Sequence, residues 1–281
     1  MIIERTLHAA SRARRSPALR RLEPVWRRVQ PLWDRVVEAG SGARGYEAAV
    51  NGDRLRVSYR YGARYEKTGY EPAVHRAFTS RIREGMVVLD VGAHIGFFTL
   101  AAALRVGPSG HVYAFEPAPD TADVLERHVR MNGFEDRVTV VRAVLCDREG
   151  TTSFYVHGET MAAALFPQSI DVLSPERFET GAVEQVVAAT TVDAFCEREG
   201  IEADRIKIDV EGAEPAVLRG ASAALLGNAK ILCEVHPAAL AYMGGSVEEL
   251  RNLLGGDRRS VEQVGDANAL GILHLLSRPR G

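Results

Sequence analysis

From Met86 onward the chain alternates short apolar runs with longer amphipathic ones, and glycine or carboxylate residues punctuate the junctions. This alternation constrains the fold more than any other feature of the sequence. Val87-Val-Leu-Asp90 predicts a strand, Ile95–Arg105 a helix, and Gly107-Pro-Ser-Gly110 a turn. His111–Phe115 predicts a second strand, and Pro119–Met131 an amphipathic helix closed by Asn132-Gly133. Val138–Leu145 reads as a third strand, with Thr151–Val156 as an extra extended piece. Residues 158–184 lack a clear period and read as an insertion over the site or a surface loop. The pattern then resumes with a strand at Arg205–Val210, a helix at Ala213–Leu226, a strand at Lys230–Val235 and a helix at Val247–Leu254. Val261–Val264 and Ile272–Leu276 finish it as short strands. Such alternation predicts an α/β fold, a mostly parallel sheet with helices on both faces, and ligands beyond the carboxyl ends of its strands.

Composition narrows the function classes. Hydrophobic residues make up 46% and charged residues 26% of 281, an ordinary globular mix. No run of about 18 uncharged apolar residues is present, so no membrane-spanning helix is expected. Cys146, Cys196 and Cys233 are odd in number and far apart, which points to a reducing compartment and a cytoplasmic protein. Residues 1–40 carry nine Arg and four acids, +5, against −7 for the rest. A body so charged is a poor partner for nucleic acid.

The basic arm, residues 1–45, is expected to stand apart from a domain at 46–281. Pro17, Pro24 and Pro31 recur seven apart, and Val25, Val29, Leu32 and Val36 fall at helical spacing. Short helical pieces are expected, either docked on an anionic inner-membrane face or partner, or packed on the body as a cap. The second alternative is favoured. Gly40-Ser-Gly-Ala-Arg-Gly45 matches a dinucleotide fingerprint in letters only, since no strand precedes it. Asn51-Gly52 between Ala48–Val50 and the alternating Leu55, Val57 and Tyr59 predicts a hairpin.

The candidate cofactor motif is Asp90-Val-Gly92-Ala93-His94-Ile-Gly96, at the turn from first strand to first helix. Gly92 would let a ligand approach the backbone, and Gly96 would let the helix pack on the sheet. The middle glycine of the dinucleotide fingerprint is missing, and Asp90 at the strand mouth would repel phosphate while suiting an ammonium. The loop therefore fits S-adenosylmethionine better than NAD. Glu116 and Pro117, 24 residues after Gly92, place a carboxylate where ribose hydroxyls could donate to it. Val144, near the end of the third strand, either lies by the adenine or is core. Glu71 either reaches the cofactor's amino group or is a solvated turn residue.

Here the residues resemble a known family. Val88-Leu-Asp90-Val-Gly-Ala-His-Ile-Gly96-Phe-Phe-Thr99, then Ala114-Phe-Glu-Pro117, then Ile206-Lys-Ile-Asp-Val-Glu-Gly-Ala-Glu214 with Leu218-Arg-Gly220 are similar to FkbM methyltransferases. The resemblance spans about residues 46–281 and implies a class I, Rossmann-like methyltransferase with seven strands, parallel except the last. It implies S-adenosylmethionine as methyl donor, and most often a hydroxyl of a sugar, polysaccharide, lipid or secondary metabolite as acceptor. His94 departs from the family, where Asn is commoner.

A hydroxyl acceptor must lose a proton, and a base or divalent metal can assist. Asp209-Val-Glu211 ends the fourth strand of the pattern and Glu234-Val-His236 the fifth. His236 is the leading candidate base, with Asp209 as its partner. Glu211 and Glu234 could do the same or hold Mg²⁺ or Mn²⁺, while the metal requirement itself stays open. Glu211 could instead simply start a helix, and His236 simply end a strand. A carboxylate or amine acceptor is the second reading. An NAD-dependent oxidoreductase and a non-catalytic adaptor are the readings from other classes.

Overall fold

The computed structural model describes residues 44–157, 162–164, 182–268 and 271–280, together with Leu32, Val36 and Gly40. Most of the basic arm and of segment 158–184 therefore lies outside the described residues. The chain groups into two compact units, residues 1–72 with 130–133 and residues 73–129 with 134–281. Among the described residues no helix is long and apolar enough to cross a membrane.

In the first unit β1 (Tyr46–Val50) pairs antiparallel with β2 (Asp53–Val57). Asn51 and Gly52 both take positive φ, 53° and 93°, which is the geometry that makes an Asn-Gly turn close a two-residue hairpin. The expected alternation through Tyr59 stops at Val57. Tyr59 instead opens α1 (Tyr59–Thr68), its ring edge-on to Tyr46 at 5.1 Å. Tyr46 Oη donates to Glu66 at 2.8 Å, which fixes the helix to the hairpin.

The second unit holds the main sheet. Its strands are β3 (Val87–Val91), β4 (His111–Phe115), β5 (Val138–Val141), β10 (Arg205–Ile208), β11 (Lys230–Val235), β12 (Arg259–Gln263) and β13 (Leu273–Pro279). Numbered one to seven in chain order, they lie as 3-2-1-4-5-7-6, and only the seventh runs antiparallel. That last strand, inserted between the fifth and sixth, departs from the 3-2-1-4-5-6 order of dinucleotide-binding sheets. The seven-stranded, mostly parallel sheet is the one the resemblance implied. Its inner strands are buried almost throughout, as parallel strands covered on both faces are, and the charged Asp90, Lys207 and Glu234 are buried with them.

Helices connect the strands: α2 (Pro72–Thr79), α3 (Phe97–Val106), α4 (Pro119–Asn132), α5 (Val192–Glu199), α6 (Glu214–Arg219), α7 (Ser222–Leu226), α8 (Pro237–Tyr242) and α9 (Val247–Gly255). Thr191 caps α5 by accepting from Ala194 N–H, and Ser246 caps α9 by accepting from Glu249 N–H. Leu89, Val91, Ile206, Ile208, Ile231 and Val217 form the heart of one buried core.

Three expectations need correction. The third strand breaks at Arg142, whose guanidinium turns outward to Asp123 and Glu126 at 2.6 and 2.7 Å. Residues beyond it form β6 (Ala143–Leu145), which pairs with β9 (Ala182–Thr190) in a second sheet with β7 (Gly150–His157) and β8 (Ala162–Ala164). The fourth strand of the pattern ends at Ile208, because Glu211 and Gly212 turn the chain with φ of 54° and 101°. The long helix predicted at 213–226 is two short ones. They divide at Gly220, where a side chain would collide with the Cys146 carbonyl. Cys146, Cys196 and Cys233 are free thiols.

Candidate active site

The loop after β3 is built by backbone. Gly92 and Ala93 N–H groups both donate to the Phe115 carbonyl, at 3.1 and 3.0 Å. Gly92 has φ +79°, and a side chain there would run into the backbone carbonyl of Asp209. Glycine is thus required by the approach of two strand-end loops, not only by a ligand as expected. Gly96, at φ +93°, makes room for Leu125 of α4 rather than for the sheet.

Glu116 closes the loop. Its Oε2 accepts from His94 N–H and its Oε1 from Ala118 N–H, both at 2.9 Å. Burial pushes this carboxyl up to about 7, although the two N–H bonds oppose the shift. Each carboxylate oxygen has a second lone pair, so Glu116 can still accept a hydroxyl. Pro117 follows it at intermediate exposure, and Ala93 is buried.

Asp90 is fully buried, and its Oδ2 accepts from Thr99 Oγ1 at 2.6 Å. It therefore supports the loop from beneath instead of standing at an open mouth, and burial raises its pKa. Its Oδ1 is buried without a hydrogen-bond partner. That unmet acceptor fits a donor such as the ammonium of a methionine-derived cofactor.

The second cluster lies at the ends of β10 and β11. Lys207 faces Asp90 across the sheet register and is 2% exposed. Its Nζ is 2.8 Å from Asp209 Oδ2 and 4.6 Å from the centre of the Phe98 ring. Burial works against this ammonium, but Asp209, Asp90 and Glu234 outweigh it and hold its pKa above the ordinary range.

His236 is 1% exposed, with Nδ1 2.7 Å from Glu214 Oε1. Its Nε2 stands 3.5 Å from both Glu211 Oε2 and Glu234 Oε1. Burial opposes protonation, yet the bonds to Glu214 and Glu234 and the charge of Glu211 outweigh it, pushing the ring up to about 11. This hold favours the protonated ring and weighs against the expected role of His236 as base. A ring that keeps its proton through the neutral range cannot take one from an acceptor. Asp209, the expected partner of His236, is paired with Lys207 instead.

Glu234 Oε2 lies 3.1 Å from His274 Nε2, directly across the β11–β13 register. Burial would raise this carboxyl, but hydrogen bonds from His236 and His274 hold it well below the usual range. Glu211 keeps 40% of its side chain exposed, yet its Oε2 is shut off from solvent and has no hydrogen-bond partner. That desolvation, with like charge from Asp209 and Glu234, pushes Glu211 up to about 7. Ligand atoms of Asp209, Glu234 and His236 lie within 4.8 Å of one another.

The family model of the FkbM methyltransferase domain matches residues 90–265, a span that contains both clusters except His274. The chain belongs to the FkbM methyltransferase family. Methyltransferase sdnD of Sordaria araneosa is 32% identical over 154 residues, covering 47% of this chain and 59% of its own length. The 31-O-demethyl-FK506 methyltransferase FkbM of Streptomyces tacrolimicus is 30% identical over 196 residues, covering 62% of this chain and 73% of its own. Among solved structures, a precorrin-6y C5,15-methyltransferase from Geobacter metallireducens aligns with TM-score 0.45 and 14% identity, over 83% of this chain and 98% of that one.

Within the FkbM family the His94 departure has a backbone explanation. His94 adopts φ +52°, a region that Asn and His enter more readily than other side chains. Burial lowers the pKa of its ring, so His94 is neutral near pH 7. Val144 lies on β6 and is buried in a small apolar cluster with Ala118, Cys146, Phe154 and Ala189. Glu71 belongs to the first compact unit, at φ +44°. Sequence reasoning missed Lys207, Glu214 and His274 as parts of the site. For Lys207 a signal existed, a lone lysine inside an apolar strand.

Proposed function

We propose that this FkbM-family chain transfers the methyl group of S-adenosylmethionine to a hydroxyl of a sugar, polysaccharide or secondary metabolite. The donor is read from the loop at Gly92–Gly96 over buried Asp90, with Glu116 as the acceptor for ribose hydroxyls. A sulfonium is a cation, and the carboxylates beside the loop favour it electrostatically over a phosphate-bearing cofactor.

The observation that carries the acceptor class is Glu211. It is a half-exposed carboxylate on the turn that leaves β10, its inner Oε2 3.5 Å from His236 Nε2 without a hydrogen bond and the rest of the group open to solvent. A carboxylate so placed accepts the proton of an incoming hydroxyl while the sulfonium methyl is displaced in line. His236, Glu234 and Asp209 surround it as positioning groups. A carboxylate acceptor would meet these acids as like charges, which disfavours that alternative. The relative from Streptomyces tacrolimicus is named for an oxygen acceptor, which agrees with the reading.

The test uses methyl-labelled S-adenosylmethionine and a panel of hydroxyl, carboxyl and amine acceptors. A hydroxyl acceptor should be labelled, and Glu211→Gln should lower kcat by about 10²–10⁴-fold with S-adenosylhomocysteine binding retained. An unchanged kcat in that variant would move the assignment to an acceptor that needs no base. The absence of turnover with every acceptor, despite cofactor binding, would favour a non-catalytic adaptor. Contact of residues 1–40 with a membrane or partner is likewise a proposal, tested by flotation with anionic vesicles.

A further inference from the structure

We infer that Asp209, Glu234 and His236 form a site for one divalent cation of the Mn²⁺ class at the carboxyl ends of β10 and β11. The ligand set stands on geometry alone, while the ion's use rests on the methyltransferase reading.

Each of the three side chains is gripped on one atom by a partner outside the trio. Glu214 Oε1 holds His236 Nδ1 at 2.7 Å, His274 Nε2 holds Glu234 Oε2 at 3.1 Å, and Lys207 Nζ holds Asp209 Oδ2 at 2.8 Å. The atoms left over are His236 Nε2, Glu234 Oε1 and Asp209 Oδ1, and an ion bound there would displace the Nε2 proton to solvent. A carboxylate behind one ring nitrogen is the arrangement that fixes an imidazole with its other nitrogen toward a metal. Two independent elements supply the grips, since Glu214 opens α6 and His274 lies on β13.

The spacing agrees. Nε2 and Glu234 Oε1 are 3.5 Å apart, a long and weak contact, and the ligand atoms of all three side chains lie within 4.8 Å of one another. Two ligands about 2.1 Å from one small ion stand roughly 3.0–3.4 Å from each other. The charge also agrees. Asp209, Glu211, Glu214 and Glu234, four carboxyl groups, converge on one ammonium and two imidazoles, those of His236 and His274. Buried carboxylates in such excess are costly unless a cation joins them.

Two carboxylates and one imidazole suit Mn²⁺ better than Mg²⁺, which prefers oxygen and its own water. When bound, the ion would supply Lewis acidity to an acceptor hydroxyl at the mouth. Glu211 is left over as the carboxylate facing the same ring nitrogen.

The full chain is titrated with MnCl₂ while electron paramagnetic resonance follows the free-ion signal, and pulsed measurements look for ¹⁴N coupling. The expected result is one bound Mn²⁺ per chain with a coupled imidazole nitrogen. Glu234→Gln should weaken binding about 10–100-fold, with Asp209→Asn as the second variant should the first fail to fold. No binding by a chain that binds S-adenosylhomocysteine would overturn the site and leave the methyltransferase reading standing. Binding without ¹⁴N coupling, or unaltered in both variants, would overturn it too. A chain that binds Mn²⁺ in this way but not S-adenosylhomocysteine would keep the site and sink the methyltransferase reading.

Discussion

The two halves of the site are held by different forces. Around Glu116 the chain is organised by backbone, with N–H groups of His94 and Ala118 fixing the carboxylate and those of Gly92 and Ala93 fixing the turn. Around His236 it is organised by side chains, where Glu214, Glu234, Lys207 and His274 hold one another by charge. The first half therefore depends on conformations that few residues can adopt. The second depends on a balance of charge that one neutralising substitution upsets. At the carboxyl ends of one sheet, the proposed cofactor cradle is a problem of shape and the proposed acceptor side a problem of electrostatics.

The largest effect should come from the charge-held half. Lys207→Met removes the ammonium that stands between Asp209 and Asp90, and breaking such a buried pair costs about 3–5 kcal/mol. Thermal unfolding should show a marked drop in Tm. A drop of a degree or less would mean that the ammonium is not what holds the carboxylates together.

Glu116 gives a pH signature in the shape-held half. Its pKa is raised to about 7 in the folded chain, so the stability tied to its neutral form is present below the ordinary carboxyl range. That stability is lost as pH rises through about 7, by roughly 3 kcal/mol in total. Cofactor binding should run the opposite way, because only the anion accepts both ribose hydroxyls well. Calorimetry should find affinity for S-adenosylhomocysteine falling as pH drops below about 7, and Glu116→Gln should flatten that profile. An unchanged profile in the variant would show that ribose does not meet this carboxylate.

Gly92→Ala comes next. It forces a side chain into φ +79° and against the Asp209 carbonyl, at a cost of about 1–3 kcal/mol. Because that carbonyl belongs to the other half, the variant should weaken both cofactor binding and turnover. Damage confined to turnover would contradict the coupling. The smallest effect belongs to His94→Asn, which keeps the backbone preference and should alter stability by less than about 0.5 kcal/mol. A large loss of cofactor affinity would instead reveal a role for the imidazole ring.

The same division explains how far the sequence could be read. Strands such as Lys230–Val235 were legible because buried parallel strands need continuous apolar runs. The Asn51-Gly52 hairpin and the Asp90–Gly96 turn were legible because positive φ narrows the choice of residue. Position alone was legible in the acidic half, where Asp209, Glu211, Glu234 and His236 were all expected near one another. The proton on His236 was not, because it depends on Glu214, which arrives from the start of α6, and on which atoms face which. Likewise, the break at Arg142 was hidden because outward ion pairs leave no mark on an apolar run.

The most direct measurement is isothermal titration of the full chain with S-adenosylhomocysteine, beside NAD as the competitor cofactor. Saturable binding of one S-adenosylhomocysteine per chain, weakened but still measurable in Glu116→Gln and absent with NAD, is the result expected. Heat with NAD alone, or none with either ligand from a folded chain, would contradict the cradle at Gly92–Glu116 and the function built on it.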